Sequence, residues 1–344
     1  MKVVFAGVSH WHTPLYLEPL LRLESVQLSG VCDPDAQVAA SLANRYGCIS
    51  ETSLERLCAS ARPDLAFVLG KHSAMAESAS YLIGERIPFV IEKPAGIGAG
   101  EVEGIAREAE KAGVFAAVPL VFRSSGFMQA VRETAGGEKV LYAGFKFIAG
   151  LTSRYREAGC EWMFDRQEAG GGSLTNLGVH FLDLMQVLTS VDDTSVSSAE
   201  FMNFSGEGNV EDFAAVTLRN GGALGHVETG YLYPAPTGIF DMHFSVRTEN
   251  HYFTATGPGA IDICDLAGNR RRIAGTTTNI EIYPQFVRDV VRRLREGLPP
   301  VADLSDMAKV VRLLDSAYAT GGKSGEKRGT PDEPLAMLEE TAGK

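Results

Sequence analysis

The sequence predicts an α/β fold joined to an α+β one: a doubly wound parallel sheet first, then a domain with a large, mostly antiparallel sheet. Three observations carry this. Short β-branched, apolar runs alternate with helical segments through the first third, as in βαβ crossovers. Strand-like runs separated by turn residues then dominate from Val140 to Ile263. A chain of 344 residues is also long for one hydrophobic core. The division is expected between residues 1–122 and 123–344.

In order, Lys2 to Val8 reads as a buried strand closed by Gly7, and Thr13-Pro14 as an N-cap with proline behind it. Leu15 to Leu23 is the first helix, Val26 to Asp33 the second strand, and Ala36 to Tyr46 the second helix. Leu65 to Leu69 and Phe89 to Ile91 are further strands around a helix from Ala74 to Gly84. A helix from Gly100 to Ala112 leads to a strand over Val114 to Phe122. In the second part, strands are expected at Val140–Ile148, Ser195–Phe204, Asp212–Leu218, Ala223–Tyr233, Met242–Thr248, Tyr252–Thr256 and Ala260–Ile263. Thr320 to Lys344, rich in Gly, Lys, Glu and Pro, reads as a loose surface segment.

Composition narrows the function. With 45% hydrophobic and 22% charged residues the chain is an ordinary globular protein, and a formal charge of -11 argues against nucleic acid or an anionic membrane as partner. Five scattered cysteines without a C-x-x-C pair fit reduced thiols in a cytoplasm, not a zinc site or a disulfide framework. The start, MKVVFAGV, lacks the apolar stretch of a signal peptide, and no segment is long enough to span a bilayer.

Ligands of parallel sheets sit at the carboxyl ends of the strands. There the first turn reads Gly7-Val8-Ser9-His10-Trp11-His12, with Ser9 and His12 at the second and third glycines of G-x-G-x-x-G. It is either an ordinary βα turn or an anion site of free N–H groups, with Gly7, Ser9, His10 and Trp11 against a dinucleotide. Asp33, ending the second strand, can accept hydrogen bonds from both adenosine ribose hydroxyls. It would repel a 2′-phosphate, so NAD is expected over NADP.

The stretch Ala169 to Met185, AGGGSLTNLGVHFLDLM, is the centre of the chain's second chemistry. Three glycines permit close backbone approach, and Ser173 reads as the cap of a helix. Leu174, Leu177, Phe181, Leu184, Met185 and Leu188 form its apolar face. Asn176, His180 and Asp183, at i, i+4 and i+7, share a stripe beside that face, where a cleft edge would lie. His180 is either a hydrogen-bonded core residue or a site residue. The pair Glu92-Lys93, at the end of Ile87–Pro94, is likewise either a solvated loop or a group reaching the cofactor crevice.

Two motifs decide between these readings. Glu92-Lys93-Pro94 after a buried strand, followed by a GGG-x-L-x-x-x-G-x-H-x-x-D helix, resembles the glucose–fructose oxidoreductase/inositol dehydrogenase/rhizopine catabolism family (Gfo/Idh/MocA). The resemblance extends through Val210–Leu218 to the late segment PPVADLSDMAKVVRLLDSAYAT. It implies a Rossmann NAD-binding domain followed by an α+β domain that binds substrate and assembles homodimers or homotetramers through its sheet. Carried over by position, it implies that Lys93 positions substrate and assists proton transfer, and that His180 is the general acid/base. Asn176 stands where inositol dehydrogenase-like members carry Asp, and can orient a substrate hydroxyl or the imidazole but cannot take a proton. Asp183 would brace the helix, and Arg123 would line the substrate pocket. Glu92 and Lys93 would also meet the cofactor, as would Gly70 and His72, although Gly70-Lys71-His72 replaces the family's threonine-proline-asparagine and Met75 replaces an expected histidine.

Between strand and helix, Gly150 to Gly172 carries Arg154, Tyr155, Arg156 and Trp162. In the family this segment touches substrate, and arginine beside an aromatic ring suits a polyhydroxylated or anionic molecule. The alternative is that Trp162 anchors the loop and the arginines are solvated. The resemblance implies a dehydrogenase moving hydride between nicotinamide and a secondary alcohol of a sugar, inositol or related polyol, with no metal. Two other classes stand beside it: a hydrolase or lyase with tightly held NAD, and a non-catalytic NAD-binding sensor.

Overall fold

The computed structural model describes residues 1–189, 194–234 and 240–325. β1 (Lys2–Ala6), α1 (Thr13–Leu21), β2 (Gln27–Cys32), α2 (Ala36–Tyr46), β3 (Ile49–Glu51) and α3 (Leu54–Ala61) come first. β4 (Leu65–Val68), α4 (Met75–Gly84), β5 (Phe89–Ile91), α5 (Ala99–Ala112) and β6 (Ala116–Ala117) complete the first sheet and its helices. Its strand order is β3-β2-β1-β4-β5-β6, every pair parallel. Strands β4 and β5 are buried at every residue because helices cover both faces, which explains their unbroken apolar runs. The order reverses beside β1, so a crevice opens at the carboxyl ends of β1 and β4. Gly7, at that point, has φ +70°, and a Cβ there would strike the Leu69 carbonyl.

The second part runs α6 (Gly126–Ala135), β7 (Val140–Gly150), α7 (Ser153–Glu157), α8 (Arg166–Ala169), α9 (Val179–Thr189), β8 (Ser195–Met202) and β9 (Phe213–Asn220). β10 (Ala223–Tyr233), β11 (Asp241–Thr248), β12 (His251–Ala255), β13 (Ala260–Asp265) and β14 (Arg270–Ala274) follow, then α10 (Asn279–Glu296) and α11 (Leu304–Gly325). Its sheet has eight strands in the order β14-β13-β12-β11-β7-β10-β9-β8, antiparallel except for β7 with β10. α9 packs on one face of it, with Phe181 stacked 5.5 Å from Phe145 and edge-on to Phe244 at 5.2 Å. The last two helices return to the first part, α10 against α1 and α11 against α5.

Several local expectations change. The strand expected over Val114–Phe122 is reduced to Ala116–Ala117, because Pro119 has no N–H for a ladder and Val121–Ser124 forms a tight turn. Thr13 is already helical; His12 holds the cap position, without a side-chain hydrogen bond. The expected loose segment begins inside α11, and residues 326–344 lie outside the described residues. Among the described residues no helix is long and apolar enough to cross a membrane.

Candidate active site

The site is built on the glycine run. Gly170 ends α8 with φ +77°, and a Cβ on Gly172 would strike the Glu211 carbonyl. The Glu211 carboxylate, buried, accepts from Gly172 N (3.0 Å), Leu174 N (2.9 Å) and the Tyr318 hydroxyl (2.9 Å). It takes the capping role expected of Ser173, which is itself helical and donates its hydroxyl to the Thr229 carbonyl at 3.3 Å. The backbone then makes a wide five-residue π turn, Leu174–Gly178, before α9. From there Asn176 and His180 reach a cavity of about 350 Å³ between the two sheets. Trp11 and His12 from the first turn, Lys93 beyond β5, and Arg154 and Tyr155 from α7 line the same cavity, with Phe122, Phe147 and Phe181 as apolar wall.

Lys93 is buried, and its ammonium donates to both the backbone oxygen (2.8 Å) and Oδ1 (2.5 Å) of Asn176. One of its three N–H groups is left for a ligand. Burial, opposed by Glu92 and reinforced by Arg154, lowers its pKa to about 8. Asn176 Nδ2 donates to the hydroxyls of Tyr155 (2.6 Å) and Tyr231 (3.0 Å). Asn176 thus holds the lysine rather than orienting the imidazole. His180 is buried with its ring edge on Phe122 at 5.2 Å, and its Nδ1 has no partner. Burial and the charge of Lys93 lower its pKa to about 3, so the ring is neutral.

Three assignments from sequence are corrected. Arg123 does not line the cavity: its guanidinium grips Asp183 at 2.8 and 2.5 Å and Asp306 at 2.8 Å. Breaking such a buried pair costs about 3–5 kcal/mol, so the contact braces α9, as expected of Asp183. Glu92 is wholly buried and out of a cofactor's reach; its carboxylate meets His12 Nδ1 at 3.2 Å and the Tyr16 hydroxyl, and lies 3.9 Å from the Lys93 ammonium. Trp162 packs against His72 at 5.0 Å, Trp11 at 5.9 Å and His10 at 6.0 Å, outside the cavity, and so anchors its loop. His72 hydrogen-bonds the Ala169 carbonyl at 2.7 Å, tying the β4 loop to α8. His10, stacked on Trp11 at 3.9 Å, accepts from His12 N through Nδ1. Arg154 lies 4.7 Å over the Tyr155 ring, with its Nε buried and unpartnered.

His12 and Tyr231 were missed by sequence reasoning. The H-x-H of the first turn was the available signal for the first, whereas Tyr231 sits in an ordinary-looking strand.

The crevice residues fit a dinucleotide. Asp33 accepts from Ser9 N (2.7 Å) with one carboxylate oxygen and from Asp35 N (3.0 Å) with the other, leaving lone pairs on both. A hollow of about 400 Å³ lined by Val8, Asp35 and Val38 adjoins it, and Gly70 at φ +126° leaves open space. Buried nitrogens without partners include His180 Nδ1 and Arg154 Nε, whose residues line the cavity, and His10 Nε2 and His72 Nε2. Such groups are costly unless a ligand satisfies them.

Residues 1–119 match the family model described as an oxidoreductase family with an NAD-binding Rossmann fold. Residues 146–253 match that of the GFO/IDH/MocA C-terminal domain. No curated protein matches the chain. Among solved structures, GenD2 from gentamicin A biosynthesis, in complex with NAD, is 23% identical with a TM-score of 0.79, covering 94% of this chain and 95% of that one. Levoglucosan dehydrogenase, in complex with NADH and levoglucosan, is 15% identical with a TM-score of 0.81, covering 94% and 97%. UDP-N-acetylglucosamine 3-dehydrogenase GnnA from Acidithiobacillus ferrooxidans is 17% identical with a TM-score of 0.76, covering 94% and 98%. At these identities the three share the fold.

The His180 environment predicts that its imidazole does not titrate near neutrality. Its ring nitrogens should keep nitrogen-15 shifts typical of a neutral imidazole between about pH 5 and 9 in an NMR titration, since its pKa is lowered to about 3. A titration step near the usual histidine value would contradict the burial argument.

Proposed function

The chain belongs to the GFO/IDH/MocA oxidoreductase family, and we propose that it oxidises a secondary alcohol of a sugar, inositol or related polyol with NAD. The observation that carries this reading is the convergence of Lys93, from the end of β5, and His180, from α9, on one cavity. When bound, NAD supplies the hydride acceptor. The remaining N–H of Lys93 meets the substrate oxygen and stabilises alkoxide charge. Asn176 and the two tyrosine hydroxyls keep the ammonium in place. His180, neutral and on the same wall, takes the hydroxyl proton as hydride leaves. The phenylalanine wall keeps water from the reacting centre. Arg154, with its spare nitrogen, suits a hydroxyl or carboxylate on the substrate. The carbohydrates named with levoglucosan dehydrogenase and the UDP-N-acetylglucosamine 3-dehydrogenase support the substrate class.

We assign the cofactor to a unit of residues 1–122 and the assembly surface to a unit of residues 123–344. The sheet face away from α9 carries half-buried Tyr142, Lys146, His226, Glu228, His243 and Arg247, and we assign it to a homodimer or homotetramer contact. Five free cysteines support a cytoplasmic setting.

Screening sugars, inositols and sugar acids for NADH absorbance should find a substrate. Lys93→Ala or His180→Ala should then lower turnover about 10²-fold or more, with NAD affinity changed only a few fold. Near-normal turnover in either variant dismisses the assignment. Asp33 predicts a lower dissociation constant for NAD than for NADP, and binding of NADP about tenfold tighter refutes that. Light scattering at micromolar concentration should give a dimer or tetramer; a monomer removes the proposed contact.

A further inference from the structure

His12 stands where a dinucleotide-binding turn would carry its third glycine, and its side chain meets two different surroundings. One edge of the ring faces the cavity shared by Lys93 and His180. The other edge puts Nδ1 3.2 Å from Oε2 of Glu92, whose side chain is wholly buried. That oxygen also accepts from the Tyr16 hydroxyl, and Oε1 accepts from Lys93 N at 3.1 Å. A buried carboxylate held in this way fixes the imidazole proton on Nδ1 and leaves the Nε2 lone pair toward the cavity. It also supplies the countercharge for an imidazolium. His180 has no such support, because its Nδ1 has no partner.

We propose that His12, held by Glu92, is the final acceptor of the substrate hydroxyl proton. The inference rests on the alcohol-oxidation reading and deepens it. As hydride leaves the carbinol carbon for NAD, the O–H bond breaks and its electron pair forms the carbonyl. The proton, taken first by His180, is passed across the cavity that both rings line to His12 Nε2, and the neutral His180 is restored. Glu92 is the positioning residue of the pair.

The groups around His12 set the sign of its response. From its own turn and helix, His10 and Tyr16 face it. Lys93 and Arg154, and neutral His180, lie on the cavity side, and Tyr283 of α10 packs at 5.8 Å. Burial and the two cations disfavour the imidazolium, and Glu92 is the anion among these groups that opposes them. Replacing Glu92 by glutamine therefore lowers the His12 pKa.

The test combines histidine NMR with kinetics on the full chain with NAD added. In nitrogen-15 spectra, with His12→Asn used to assign the signals, neutral His12 should carry its proton on Nδ1. Glu92→Gln should lower its pKa by about 1 and move the acid limb of the kcat–pH profile the same way. His12→Asn should lower kcat about 10-fold or more, with NAD affinity within a few fold of wild type. If His12→Asn does not fold, the shift of the acid limb of the kcat–pH profile in Glu92→Gln alone carries the test. A proton on Nε2, a pKa unmoved by Glu92→Gln, or an active wild type whose His12→Asn variant keeps kcat within about twofold each overturns the role of His12. A wild type that forms no NADH from any alcohol in the panel overturns the oxidation reading itself, and the proton role with it.

Discussion

The contact between Lys93 and Asn176 is the constraint on which the site depends. One residue follows the fifth strand of a parallel sheet, and the other lies in the π turn before a helix on an antiparallel sheet. Two hydrogen bonds, 2.8 and 2.5 Å, join them in a buried setting. A lysine buried without such acceptors would lose its charge, since desolvation disfavours the ammonium. Burial lowers the pKa of Lys93 to about 8, the Glu92 charge opposes that shift, and the lysine remains a cation near neutrality. The same contact sets the spacing between the cofactor crevice and the histidine helix.

Around that contact, the cavity wall carries charge that folding by itself would not favour. Lys93 and Arg154 are cations in low-dielectric surroundings, and the Glu92 carboxylate beside Lys93 is wholly buried. The histidines nearby are held neutral by burial, His180 and His72 each to about 3. Several of their nitrogens lack partners, a departure from the satisfied interior expected of a structural core. Local consistency is broken here and kept elsewhere, which is the pattern of a ligand site. Bracing comes from outside the cavity: Arg123 clamps Asp183 and Asp306, and Glu211 clamps the glycine run.

The parallel sheet was readable because its strands, such as Leu65–Val68 and Phe89–Ile91, are buried on both faces and therefore apolar without interruption. Short or exposed elements were not: β3 has no fully buried residue, and β14 is an arginine-rich edge strand. The residues that line the cavity were readable where a motif marks them, as at Lys93 and His180. Arg123 and Trp162 were misplaced because sequence position next to a site does not give side-chain direction. Arg123 turned to two carboxylates distant in the chain, and Trp162 turned to His72 and the first turn.

By itself the sequence determined the two sheets, their order along the chain and the two motifs that meet at the cavity. Periodicity and turn residues act locally, so they survive without knowledge of the fold. Only the tertiary structure decided who serves whom: that Asn176 serves the lysine, that Glu211 rather than Ser173 caps the glycine turn, and that Glu92 faces His12. Each of these is a hydrogen bond between segments 37 to 83 residues apart, and no local pattern encodes the partner of a long-range bond.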